Sequence, residues 1–219
     1  MKMKLWNKYR KQIVIPELAD DVVLSVENLT MKFGGLTAVN NVSFDVKKGE
    51  IFGLIGPNGA GKTTLFNCVT QFYKPTEGHI YYRGEDNKVI HLNDVHVSNV
   101  INHGIIRTFQ NVELIWELTV LENLMVTHTR HHKSIIAGSI LRLPHTRKEE
   151  AIVRDKALNI LSFLGLFHYK NMSPYGLPYG ILKKIELART LMVDPKLIIL
   201  DEPAAGLNES ETADLAQTI

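Results

Sequence analysis

The sequence has almost no cysteine: Cys68 stands alone among 219 residues. An internal disulfide is excluded, and with it the small disulfide-stapled folds of oxidising compartments. Long apolar runs are also missing. No stretch approaches the roughly eighteen apolar residues that a membrane-spanning helix needs, so a membrane role would have to come through partners. Charge of one sign is scarce in net terms. The 25 Lys and Arg against 23 Asp and Glu leave +2, too near balance to argue for a nucleic-acid partner. Repeats and low-complexity segments are absent. What remains is an ordinary globular composition, 45% hydrophobic and 22% charged, in a chain long enough for one domain with a sizeable core.

The first dozen residues carry Lys2, Lys4, Lys8, Arg10 and Lys11. They resemble the basic start of a signal peptide, but only Ile13, Val14 and Ile15 follow before Pro16, too short an apolar segment. Residues 1–21 read as a solvated tail, with a membrane-surface contact as the sharper alternative. The expected setting is the cytoplasm.

Three textures follow. Val22 to Leu29 and Val42 to Val46 alternate and are β-branched, with Gly34-Gly35 and Lys47 to Glu50 as turns, which predicts antiparallel strands. Ile51-Phe52-Gly53-Leu54-Ile55 is a nearly continuous apolar run, the pattern of a strand buried on both faces. From about 111 to 175 the pattern is helical: Val153, Ala157, Ile160, Leu161 and Leu164 share one face, with Gly165 as a stop. Ile181, Ile185, Ala188 and Met192 trace another helix, Leu197 to Leu200 a second buried strand, and Asn208 with Glu211 a helix cap. A strand–helix core interrupted by a helical insert is an α/β plan.

Gly56-Pro57-Asn58-Gly59-Ala60-Gly61-Lys62-Thr63-Thr64 fits G-x-x-x-x-G-K-[ST]. The glycines let the backbone curl so that successive N–H groups face phosphate oxygens. A helix opening near Lys62 adds the positive end of its dipole. Lys62 reaches the β- and γ-phosphates, and the Thr63 hydroxyl ligates Mg²⁺. Cys68, in that helix, reads as a packed thiol rather than a reactive one. Beyond it, Asp201 ends an apolar strand. In a P-loop fold such an aspartate sits near the phosphates and holds Mg²⁺ through its water shell. Glu202, next along, can orient and deprotonate the attacking water.

With these motifs in place the chain resembles an ABC-type ATPase over about residues 22–219. Gly56 to Thr64 matches Walker A, and Leu197 to Glu202 matches Walker B with its catalytic glutamate. Thr108-Phe109-Gln110 matches the Q-loop segment. Leu177-Pro178-Tyr179-Gly180-Ile181 stands at the signature motif, and Ala205 to Asn208 at the D-loop. The resemblance implies a P-loop NTPase core with an antiparallel β-subdomain and a helical insert. It implies ATP and Mg²⁺ as cofactors. Phe33 and Val39 are then placed at the nucleotide, Phe33 stacking on adenine. Leu177, Pro178, Tyr179 and Gly180 contact a partner's ATP. Gln110 joins Thr63 and Asp201 at the metal, while Glu202, Gln110 and Lys62 carry the chemistry. It also implies a second ATPase subunit in a head-to-tail pair, integral membrane permeases and, indirectly, an extracytoplasmic substrate-binding protein, with the chain peripheral on the cytoplasmic membrane face.

There are departures from the family pattern. Leu-Ser-Gly-Gly-Gln is the common signature; here Pro178 takes the serine place, Tyr179 the first glycine and Ile181 the glutamine, while Gly180 keeps the backbone approach open. The D-loop aspartate is Asn208. The family's later strand with its switch histidine is not reached, which reads as C-terminal truncation and implies weak or absent turnover by the chain as written. His128, His131 and His132 share a basic stretch with Arg130 and Lys133, which favours a solvated segment over a metal site.

Within the family, Met31 to Val42, Gly104 to Val112, Thr119 to Leu124 and Asp201 to Asn208 look like the ATP-binding subunits of branched-chain amino acid uptake systems. A urea or amide importer, a lipid-exporting relative, a soluble ribosome-binding ABC protein and a decayed copy are the alternatives. A chromosome-maintenance ATPase is disfavoured, since no long heptad run separates Lys62 from Asp201.

Overall fold

Apolar residues on one face of Val22–Phe33 (β1) require a partner sheet, and the flanking turns supply it. The computed structural model describes residues 15–84, 86–108, 112–128 and 144–219. The chain divides at His103/Gly104 into two compact units, each described by itself.

In the first unit β1 turns at Gly34-Gly35 into Leu36–Lys47 (β2), pairing antiparallel with Leu24 opposite Val46, Val26 opposite Phe44 and Phe33 opposite Leu36. On its other edge β1 pairs with Glu77–Arg83 (β3), Leu24 opposite Tyr82 and Val26 opposite Ile80. Val89–His91 (β4) closes a four-stranded sheet of order β2-β1-β3-β4. Leu24, Val26, Leu29, Val46, Ile80 and Tyr82 are buried together. Both sequence-predicted strands are present and longer than their alternating cores.

The run Ile51 to Ile55 corrects an expectation. It is not a strand: no ladder involves it, and Ile51 and Ile55 are 79% and 95% exposed. Phe52 instead stacks on Phe44, ring centroids 4.9 Å apart. An apolar run becomes a buried strand only where neighbouring strands take up its N–H and C=O groups. None of the described strands does so here. The helix after it forms as expected. Lys62–Val69 (α1) buries Leu65, Cys68 and Val69, an i, i+3, i+4 set. A short helix, Val97–Val100 (α2), completes the unit.

The second unit is built on a parallel pair, Ile105–Arg107 (β5) beside Leu197–Ile199 (β6), in register Ile105 to Leu197 and Arg107 to Ile199. Thr108 N extends the ladder by donating to Ile199 O at 3.0 Å. The unit also holds Val120–His128 (α3), Pro144–Phe163 (α4), Tyr179–Leu191 (α5) and Glu209–Thr218 (α6). Val120, Leu124, Ala157, Leu161, Ile185, Ala188 and Met192 form one core. Truncating a fully buried leucine such as Leu161 there costs about 2–5 kcal/mol. Helices α3 and α4 lie inside the 111–175 range expected for the helical insert, and α5, beyond that range, shares their core.

Local chemistry sets the helix ends. Thr119 and Glu122 cap α3 reciprocally: Thr119 N donates to Glu122 Oε2 at 2.7 Å, and Glu122 N to Thr119 Oγ1 at 3.2 Å. Helix α4 stops at Phe163, where Leu166 N donates back to Leu161 O at 2.7 Å. Asn208 and Glu211 form the predicted capping box of α6.

Candidate functional site

The phosphate-type loop lies between the exposed 51–55 segment and α1. Its turn is closed by Ala60 N donating to Pro57 O at 3.2 Å. Gly61, at φ +91°, precedes the helix, and a Cβ there would collide with the Ala38 carbonyl oxygen and come within 3.3 Å of Val39 Cγ2. Only glycine permits this approach. Val39, buried on β2 opposite Met31, is therefore the floor of the loop. Lys62 curls over it, its Nζ donating to Gly56 O at 2.7 Å and Pro57 O at 2.9 Å. An ammonium has three donors, so a third N–H remains beyond these two bonds.

Pro57, Asn58, Gly59, Ala60 and Thr63 are exposed, and Gly56 and Thr64 are half-buried. The loop thus offers backbone, a cation and a hydroxyl to solvent at a helix N-terminus, chemistry that suits a polyphosphate. Phe33 is 43% exposed at the end of β1 and packs edge-on against Tyr73, centroids 5.2 Å apart. Tyr73 was not singled out in the sequence. Cys68 is fully buried, and burial pushes its thiol up to about 11, in keeping with an unreactive packed thiol.

In the second unit Asp201 sits at the carboxyl end of β6, buried. Arg107, at the end of the neighbouring strand, donates from Nη2 to Asp201 Oδ2 at 2.6 Å, and the two side chains are only 10% and 11% exposed. Arg107 drew no role from the sequence; a charged residue closing an apolar strand was the available signal. Glu202 is exposed and adopts φ +49°, a left-handed conformation unusual for a side chain of its type. Ala205 N donates to its carbonyl at 3.0 Å, closing the turn. Strain held at a carboxylate next to the buried Asp201 is the kind found at functional positions.

Pro178 is the N-cap of α5, its carbonyl accepting from Ile181 N at 3.0 Å and Leu182 N at 3.1 Å. The N–H groups of Tyr179 and Gly180 open the helix without an acceptor inside it. Leu177 is half-buried and Tyr179 exposed. The Glu211 carboxylate packs beside Gly180, where a Cβ would stand 3.0 Å from Oε1. Asn208 caps α6, its Oδ1 accepting from Glu211 N at 2.9 Å.

Gln110 and Phe109 lie outside the described residues, as do Arg130, His131, His132 and Lys133. His128, expected in a solvated stretch, is half-buried with Nδ1 3.2 Å from Met192 O. Among the described residues no three His, Cys, Asp or Glu side chains cluster to hold a metal. The Thr63 hydroxyl in the first unit and the Asp201 carboxylate in the second are each oxygen donors of the kind a hard cation such as Mg²⁺ takes. No helix among the described residues is long and apolar enough to cross a membrane.

The sequence profile of the family described as "ABC transporter" matches residues 39–205. The chain is 43% identical over 197 residues to the High-affinity branched-chain amino acid transport ATP-binding protein LivG of Escherichia coli (strain K12), covering 90% of this chain and 75% of that one. It is 42% identical over 197 residues to the corresponding protein BraF of Pseudomonas aeruginosa, with the same coverage. Among solved structures it is similar to the ADP conformation of MJ1267, an ATP-binding cassette of an ABC transporter, with a TM-score of 0.74 and 36% identity over 90% of this chain and 75% of that one. It also matches the dimeric post-hydrolysis state of the ATP-binding cassette MJ0796 bound to ADP and Pi, with a TM-score of 0.67 and 28% identity over 89% and 80%.

Proposed function

The chain belongs to the ABC transporter family of ATP-binding proteins, and from that premise we propose that it is the ATP-hydrolysing subunit of an importer of branched-chain amino acids. The observation that carries the reading is the 43% identity to LivG, sustained over 90% of the chain. Residues 22–219 form the ATP-binding domain, with about 111–175 as its helical insert.

In this reading Lys62 gives up its carbonyl partners Gly56 and Pro57 for phosphate oxygens, a charge-assisted exchange. The exposed Phe33 offers a face for the adenine, and Val39 holds the loop in place. Mg²⁺, once bound, neutralises charge developing on the phosphates. Thr63, Asp201 and Gln110 hold it. Glu202 orients the attacking water and accepts its proton, a contribution typically about 10²–10⁴-fold. Leu177, Pro178, Tyr179 and Gly180 meet the ATP of a second ATPase subunit, so a nucleotide joins the pair. Permeases in the membrane and an extracytoplasmic binding protein complete the system, with this chain on the cytoplasmic face. The substitutions Pro178 and Ile181 weaken the contact to the partner's ATP and leave the fold intact.

The test is purification from membranes with and without ATP, followed by mass spectrometry of the companions. Two permease chains and a second ATPase are expected. Recovery of the protein soluble and alone, or with ribosomes or DNA, overturns the transport reading.

A further inference from the structure

Asp201 is already engaged. Its Oδ2 accepts from Arg107 Nη2 at 2.6 Å, in a pair with nine-tenths of each side chain withdrawn from solvent. A guanidinium held this way is stiff and strongly bound, because burial weakens competition from water. A divalent cation arriving at the same carboxylate meets a positive charge in place, and like charges in a site of low dielectric repel. Arg107 is anchored where it can sense that arrival. It sits opposite Ile199 in the β5–β6 ladder, the next residue continues the ladder through Thr108 N and Ile199 O, and Gln110 follows three places on.

We propose that Arg107 is a positioning residue that holds the Asp201 carboxylate, competes with a divalent cation for it and so restrains metal loading. The proposal rests on the reading of Asp201 as the Mg²⁺ carboxylate. A merely structural ion pair makes the opposite prediction for metal binding, since its loss would disorder Asp201 and weaken the site.

Wild type, R107M, R107K and D201N are compared with ADP bound, using Mn²⁺ as the probe and electron paramagnetic resonance to count free metal. Nucleotide affinity in EDTA and a thermal melt check folding. R107M is expected to bind Mn²⁺ about tenfold or more tightly, the scale of losing one charge-assisted competitor. R107K should fall between, since it keeps the charge without the planar fork, and D201N should bind more weakly than wild type. Unchanged or weaker binding by R107M, with D201N weakened, overturns the role of Arg107 and leaves Asp201 as the ligand. Unchanged binding by D201N overturns the reading of Asp201 and this inference with it. If R107M does not fold, R107K decides: binding no tighter than wild type overturns the proposal.

Discussion

The ring of Tyr179 lies against Gly206, so close that a Cβ on Gly206 would stand 3.1 Å from Tyr179 Cε1. The first residue of α5 and the turn after Asp201 thus constrain one another within one unit. Gly206 also holds φ +80°. Gly206→Ala should therefore cost about 1–2 kcal/mol from the left-handed backbone alone. Combining it with Tyr179→Ala should recover the ring contribution and leave the backbone one. Urea midpoints of the two single variants and the double variant check this; a G206A midpoint equal to wild type sinks it.

Lys62→Met should lower nucleotide affinity and cut hydrolysis by about a hundredfold or more, the usual cost of losing one preorganised electrostatic donor. Its bonds go to carbonyls of an exposed loop, so the fold should persist. Fluorescent-nucleotide binding and circular dichroism separate the two effects.

Glu202→Gln should retain nucleotide binding while turnover falls by about 10²–10⁴-fold. Glu202→Gly should fold at least as well as wild type, because glycine accepts φ +49° without cost. A glutamine variant that turns over at the wild-type rate rules out the general-base role.

Asn123 is fully buried and knots the segment before α3. Its Oδ1 accepts from Ile115 N at 2.8 Å, and its Nδ2 donates to Ile115 O at 2.9 Å and Thr119 O at 3.0 Å. Asn123→Leu removes the partner of Ile115 N, while Ile115 O keeps Leu118 N and Thr119 O keeps Asn123 N, and should cost about 1–3 kcal/mol, the scale of one polar group left unpaired. Chemical denaturation measures it.

The thiol of Cys68 ionises later in the folded chain, about 11 against an ordinary 9.0. The unfolded chain therefore loses this proton first. The stability tied to it is complete below pH 9 and falls as pH rises toward about 11. Wild type should lose more stability than Cys68→Ala between pH 8 and 10.5, and the native thiol should resist aromatic disulfide reagents at pH 8.

Much of the site was legible because its motifs are local. A loop that wraps phosphate needs its glycines, lysine and hydroxyl at fixed offsets, and the 56–64 segment shows them whatever lies around it. The Asn208–Glu211 cap and the helical face of Val153, Ala157 and Leu161 are equally local, set by hydrogen bonds and spacings within a few residues. Arg107 lies within the matching stretch Gly104 to Val112, yet local spacing assigns it no role, since its partner Asp201 is remote in sequence.

By itself the sequence determined the glycine-rich loop at the head of α1, the antiparallel β1–β2 pair and the helical periodicities, all consequences of short-range geometry. Only the tertiary structure decided that Arg107 closes on Asp201, that Glu211 packs beside Gly180, and that Ile51 to Ile55 joins none of the described ladders. Each depends on which distant backbone or charge arrives alongside: an apolar run is a strand only when a ladder partner is present, and a buried carboxylate is satisfied only by the cation that the fold brings to it.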